Sequence, residues 1–198
     1  MAVPSNRRSD VLQMPLSEPA PRTAIHVRRV ECQGFQREDG LWDIEGLMVD
    51  AKTHAHQRRD GGEPRAPGEP IHQMRIRLTI DLDFLIHDCE AVTEASPYSG
   101  CGDIAPAFKA LVGLKIGPGW RRRTLEVLGG TRGCTHLLEL LGPMATTAYQ
   151  ATGRARTARD LQRPSDKRPY QIDSCHIYRS DGPAVLERWP AWHTGPKD

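Results

Sequence analysis

The sequence has no CxxC pair among its five cysteines, no apolar run near the ~18 residues that a membrane span needs, and almost no net charge. Each absence removes a class of function. An odd thiol count without paired spacing (Cys32, Cys89, Cys101, Cys134 and Cys175) suits reduced thiols better than a disulfide framework or a zinc ribbon. Lys+Arg 27 against Asp+Glu 25 leaves +2, too little for phosphate attraction to make nucleic acid the default partner. Met1 to Pro21 is polar and Pro-rich, without the apolar centre of a secretory leader, so no membrane association and a cytoplasmic setting are expected. GxGxxG after a strand, GxxxxGKS/T, HExxH and GxSxG are missing too, which removes the usual signatures of dinucleotide, P-loop, zincin and α/β-hydrolase chemistry.

What is present is a chain of 198 residues with Gly 18 and Pro 16, about a sixth of the total and below the level of a low-complexity chain. Residues 1–22 read as a flexible arm, because they hold few apolar groups to offset ordering entropy. Residues 23–198 read as a single α+β domain. Ala24 to Phe35 favours a strand, Asp39-Gly40 supplies a hairpin turn, and Leu41 to Asp50 returns with Trp42, Ile44 and Met48 on one face. Thr53 to Pro70 is a solvated loop. His72 to Asp81 alternates strictly, with His72, Met74, Ile76, Leu78 and Ile80 opposite Gln73, Arg75, Arg77, Thr79 and Asp81, and Phe84 to Val92 completes an antiparallel meander of about four strands. Three helices packed on that sheet are expected to follow, over Ala105–Ile116, Trp120–Leu128 and from Cys134-Thr135 onward, the last kinked or split at Gly142-Pro143. A short strand over Tyr170–Tyr178 is expected near the end. Strands first and helices afterwards argue for α+β over a doubly wound sheet.

The chemistry-bearing residues fall at strand ends and at one helix start. Gly133-Cys134-Thr135-His136 runs a glycine turn into a helix, where unpaired N–H groups favour a thiolate or an anion, although Thr135 as N-cap and Cys134 as a small filler explain the same residues. On a helix, Cys134 and His136 at i, i+2 do not face each other. His72 lies in phase with an apolar row, so its imidazole needs a hydrogen-bond partner or a cavity. Asp50 and Lys52 end the hairpin on one face, as a surface pair or as a general base with an electrostatic clamp. His72, Cys134, His136, Cys175 and His176 are of metal-ligand type but lack paired spacing, and no metal site is expected. Arg121-Arg122-Arg123 reads as a solvated helix edge, and no nucleic-acid contact is expected from it.

The ordered blocks Arg37-Glu38-Asp39-Gly40-Leu41-Trp42-Asp43-Ile44-Glu45-Gly46, Asp50-Ala51-Lys52, His72 to Asp81, Leu111 to Trp120 and Gly133-Cys134-Thr135-His136-Leu137 resemble the bacterial DUF2889 family, a domain of unknown function. The resemblance implies an association with breakdown of plant-derived aromatic compounds, through a cofactor-independent lyase that releases formaldehyde from a lignin-derived phenolic substrate. In that reading His72 or His136 is the base and Asp50 orients it. Lys52 and Arg77 stabilise phenolate or alkoxide charge, Trp42, Tyr98 and Trp120 form an aromatic wall, and Arg37 and Cys134 complete the substrate-binding set. A thiol- or metal-dependent hydrolase centred on Cys134 and His136 is the first alternative, and a non-enzymatic ligand-binding domain the second. A homodimer is expected because an open meander leaves edge strands and one face to cover. All of this requires the strand ends and the helix entry to meet at one apolar hollow.

Overall fold

Hairpin chemistry sets the register of everything that follows. In the computed structural model, which describes residues 16–162 and 167–196, Gly40 takes the left-handed conformation (φ 87°) beside Asp39, as the turn requires. Strand β1 (His26–Gln36) therefore pairs antiparallel with β2 (Trp42–Lys52) from Gln36↔Trp42 out to His26↔Lys52 without a break. Strands β3 (Pro70–Ile80) and β4 (Ile86–Ala95) complete a meander of order β1-β2-β3-β4. The fold is α+β, with helices after the sheet. Of the expected flexible arm, residues 1–15 lie outside the described residues.

Period-two alternation gives the sheet two unlike faces. Trp42, Ile44, Met48, Met74, Ile76, Leu78 and Ile80 point into the core, while Glu45, Arg75, Arg77 and Glu90 stand on the open face and pair with each other or with Glu94. Helix α1 (Trp120–Leu128) and helix α2 (Thr135–Gln162) follow the meander, and Leu137, Leu140, Leu141, Met144 and Ala148 of α2 supply its buried stripe at helical spacing. Two glycines admit α2 to the sheet. A Cβ on Gly46 would lie 2.7 Å from Met144 Sδ, and one on Gly34 would lie 2.4 Å from Ala151 Cβ. Met144 can bend away, but a methyl carbon fixed to the helix cannot. Gly34→Ala is accordingly expected to cost about 1–3 kcal/mol by overpacking, and Ala151→Gly in the same chain to recover part of it. Urea denaturation of the two single variants and the double variant measures that coupling.

Three local expectations need correction. Ser99–Leu111 is a 3-10 helix and no α-helix covers Ala105–Ile116, because Pro106 removes a backbone donor and Gly113 turns the chain with φ 83°. Helix α2 is not split at Gly142-Pro143, since Pro143 lies inside one continuous helix whose Thr146 and Thr147 hydroxyls donate to its carbonyl at 2.8 and 3.0 Å. Tyr170–Tyr178 is not a strand. It closes on itself through turns, with Asp173 at φ 64° donating its N–H to the Tyr178 carbonyl (2.7 Å), followed by a 3-10 turn over His176–Tyr178. A backbone that satisfies itself locally has no ladder groups to offer.

The chain falls into two compact units that divide inside α2, after Ala151. The first holds the sheet and its core. The second, from Thr152, contains the end of α2, helix α3 (Pro183–Arg188) and a 3-10 turn over Pro190–Trp192, with Val185 fully buried and Tyr178 edge-on to Trp189 at 5.5 Å.

Candidate functional site

Register places three polar residues in one row across the core face of the sheet: Arg28 on β1 opposite Asp50 on β2, and Asp50 opposite His72 on β3. His26 stands two residues from Arg28 and shares its face. Four hydrogen bonds converge on the Asp50 carboxylate, whose residue is 1% exposed. Arg28 donates from Nε to Oδ1 and from Nη2 to Oδ2, both at 2.7 Å; His26 Nε2 lies 3.1 Å from Oδ1 and His72 Nδ1 lies 3.2 Å from Oδ2. Burial works against ionisation of Asp50, but the guanidinium fork and the His26 contact outweigh it and hold the carboxyl at about 2. Asp50 is therefore a fixed anion throughout the neutral range. It orients its partners and is too weak a base to take their protons.

His72 receives that orientation. With its Nδ1–H directed to Asp50, the tautomer leaves a lone pair on Nε2. Burial lowers its pKa, the adjacent His136 lowers it further, and Asp50 only partly opposes them, so the ring is neutral and competent as a base at neutral pH. His136, in the first turn of α2, stacks on His72 with ring centroids 3.8 Å apart and an interplanar angle of 27°. Glu139, one turn further along α2, accepts a hydrogen bond from Arg28 Nη1.

Cys134 occupies the N-cap position. Its carbonyl accepts the Leu138 N–H at 2.9 Å, and its Sγ lies 3.9 Å from His136 Nδ1. The i, i+2 argument against a Cys134–His136 contact fails because Cys134 precedes the helix, as does the placing of the cap at Thr135. All five cysteines are free thiols. Burial pushes Cys89 up to about 12, whereas Cys175 is exposed, so brief alkylation of the native protein at pH 8 is expected to label Cys175 and spare Cys89. Peptide mass spectrometry reads the outcome, and equal labelling of the two would contradict the packing.

The sequence assigned the site from more residues than the fold brings together. Asp50, His72, His136 and Cys134 are neighbours. Lys52 ends β2 opposite His26 and has no ion pair among the described residues. Arg77 lies on the open face, bonded to Glu45 at 2.8 Å, and cannot reach the imidazoles through the sheet. Arg37 and Trp42 sit at the hairpin end of β1 and β2, Arg37 paired with Asp39 and Trp42 packed in the core. Trp120 is buried too, its indole N–H donating to the Leu141 carbonyl at 3.0 Å. Tyr98, 48% exposed, takes a hydrogen bond from Arg59 at 3.2 Å in the loop after β4. No single aromatic wall forms from these three rings. A groove of about 330 Å³ lies on the open face, bordered by Glu45, Arg75, Arg77 and Glu90, on the other side of the sheet from His72. Sequence reasoning missed His26, Arg28 and Glu139. Counting outward from the Asp39-Gly40 turn would have set Arg28 opposite Asp50.

One donor atom each from Asp50, His72 and His136 lies within 4.8 Å of the others, so the cluster has the make-up of a metal site. Its present geometry suits proton transfer better. The four hydrogen bonds to Asp50 already fill the roughly four acceptor positions of a carboxylate, so a metal ion would have to displace one of them. Among the described residues, no helix is long and apolar enough to cross a membrane.

A family model described as "Protein of unknown function (DUF2889)" matches residues 26–150, which contain the whole meander, the imidazole pair and Glu139. No curated protein and no solved structure matches the chain.

Proposed function

The chain belongs to the DUF2889 family, whose description carries no reaction, and from the imidazole pair we propose that it is a small-molecule enzyme working by general acid–base catalysis: a cofactor-independent lyase that releases formaldehyde from a lignin-derived phenolic substrate. The observation that carries the acid–base part is the bond from His72 Nδ1 to a carboxylate locked by Arg28, which presents a neutral, oriented Nε2. The substrate class comes from the family association.

In the proposed reaction Nε2 of His72 removes the proton of a hydroxymethyl O–H. The phenolate has by then expelled its benzylic hydroxyl as water to give a quinone methide; the oxygen's electron pair becomes the carbonyl of formaldehyde, the carbon–carbon bond breaks, and its pair forms the new carbon–carbon double bond and returns the quinone methide to phenolate. His136, stacked on the base, gives the proton with which that hydroxyl leaves as water, and Lys52 at the strand end supplies positive charge for the phenolate. The reading sets the protein in the cytoplasm, as a homodimer, acting on a small molecule without nucleic acid.

A screen of hydroxymethyl-bearing phenolic dimers, with formaldehyde trapping and mass spectrometry after exhaustive chelation, tests it. Turnover that survives chelation and vanishes in His72→Ala is expected; absence of formaldehyde from every such substrate overturns the lyase. The Cys134 Sγ contact with His136 favours a thiol hydrolase as second reading. Turnover that is indifferent to iodoacetamide removes the hydrolase, which needs a free Cys134 thiolate.

A further inference from the structure

The contacts around the imidazoles form a closed circuit through four elements. From His72 on β3 it runs to Asp50 on β2, then to Arg28 on β1, then to Glu139 on α2, and it returns along α2 to His136, whose ring lies on His72. His136 and Glu139 are three residues apart on the helix and so share a side of it. Arg28 is the link that spans the gap, with Nε and Nη2 given to one carboxylate and Nη1 to another.

We propose that Glu139 is a positioning residue that, through Arg28, fixes the first turn of α2 so that the His136 ring stays on the face of His72. The apolar stripe of α2 holds the helix against the sheet, but apolar packing has no direction of its own. The fork from Arg28 does have direction, and it ends on the same carboxylate that orients His72. Glu139 itself is 56% exposed and Arg28 is 36% exposed, so the pair is too well solvated to be a large source of stability. Its effect is on where the first helical turn sits. The proposal deepens the acid–base reading and rests on it only for its kinetic consequence, because ring stacking is measured without substrate.

Histidine-labelled full-length protein in solution supplies the test. Ring protons of His72 and His136 should show a nuclear Overhauser effect in the wild type. Glu139→Ala should lose it or weaken it about threefold or more, with far-UV circular dichroism unchanged and Tm within about 2 °C, as for an exposed pair. Glu139→Gln, whose amide oxygen still accepts from Arg28, should retain it. Arg28→Lys keeps the charge but cannot span two carboxylates, and should lose it independently. The nitrogen shifts of His72 should keep the Nδ1–H tautomer in both Glu139 variants, because the Arg28 fork on Asp50 remains. Once a substrate is found, Glu139→Ala should lower kcat about tenfold with KM nearly unchanged. An undiminished Overhauser effect in Glu139→Ala, or equal loss in the Ala and Gln variants, overturns the proposal whether or not the protein proves to be a lyase.

Discussion

Asp50→Asn is expected to destabilise the protein by about 2–4 kcal/mol at pH 7. The carboxamide has one acceptor oxygen where Arg28, His26 and His72 now share two, and its amino group points a donor at groups that already donate. Relaxation is limited by burial, since Asp50 is 1% exposed and lies in the middle of a three-strand row. Its pH dependence follows from the shift. The carboxyl falls from 3.8 to about 2 on folding, so its contribution is complete above pH 3.8 and disappears as pH drops through about 2. That shift corresponds to roughly 2 kcal/mol, an upper figure because Arg28 stays partly solvated. Urea denaturation at pH 7, 5, 3 and 2 should therefore show the gap between wild type and Asp50→Asn holding to pH 5 and narrowing below 4. A constant gap down to pH 2 would mean that Asp50 is held by packing and not by charge.

The meander was legible in the sequence because each of its inner strands has one wet and one dry face. His72 to Asp81 shows this most clearly, since Met74, Ile76, Leu78 and Ile80 are all buried and Arg75 and Arg77 are not. The same alternation made His72 suspect, and the structure supplies the partner it lacked on paper. β1 is an edge strand exposed along most of its length, so burial imposes no pattern on it and Arg28 and His26 read as ordinary surface charge. Only register reveals their role.

Face and position along a strand are separate pieces of information, and the sequence readily gives the first. Trp42 and Asp50 share a face of β2, yet eight residues at a strand's rise put them roughly 26 Å apart, at opposite ends of the sheet. Arg77 fails for the complementary reason, being near enough in sequence to His72 but an odd number of residues away. The pairing of His136 with His72 depends on where α2 crosses the sheet. Gly34 and Gly46 let α2 come close to the sheet, and these approaches are readable only once the helix and the sheet are placed together.

His72→Ala is expected to lower kcat/KM of the proposed reaction by about 10²–10⁴, the usual worth of a positioned general base. In the wild type, kcat/KM should rise with pH to a plateau, because catalysis needs the neutral ring, with a midpoint below the ordinary imidazole value of 6.5. Burial is the first cause of that depression and His136 the second, so the two can be separated. His136→Ala removes the neighbouring ring and opens the site to water, which should carry the midpoint back toward 6.5. Stability follows the same sign. A ring that resists protonation when folded costs stability as pH falls below 6.5, and wild type should lose more than His72→Ala between pH 7 and 5. A midpoint above 6.5, or one indifferent to His136, would mean that the stacked rings do not sense each other. Proton transfer would then have to be sought elsewhere, with the Cys134 thiol next in reach of His136.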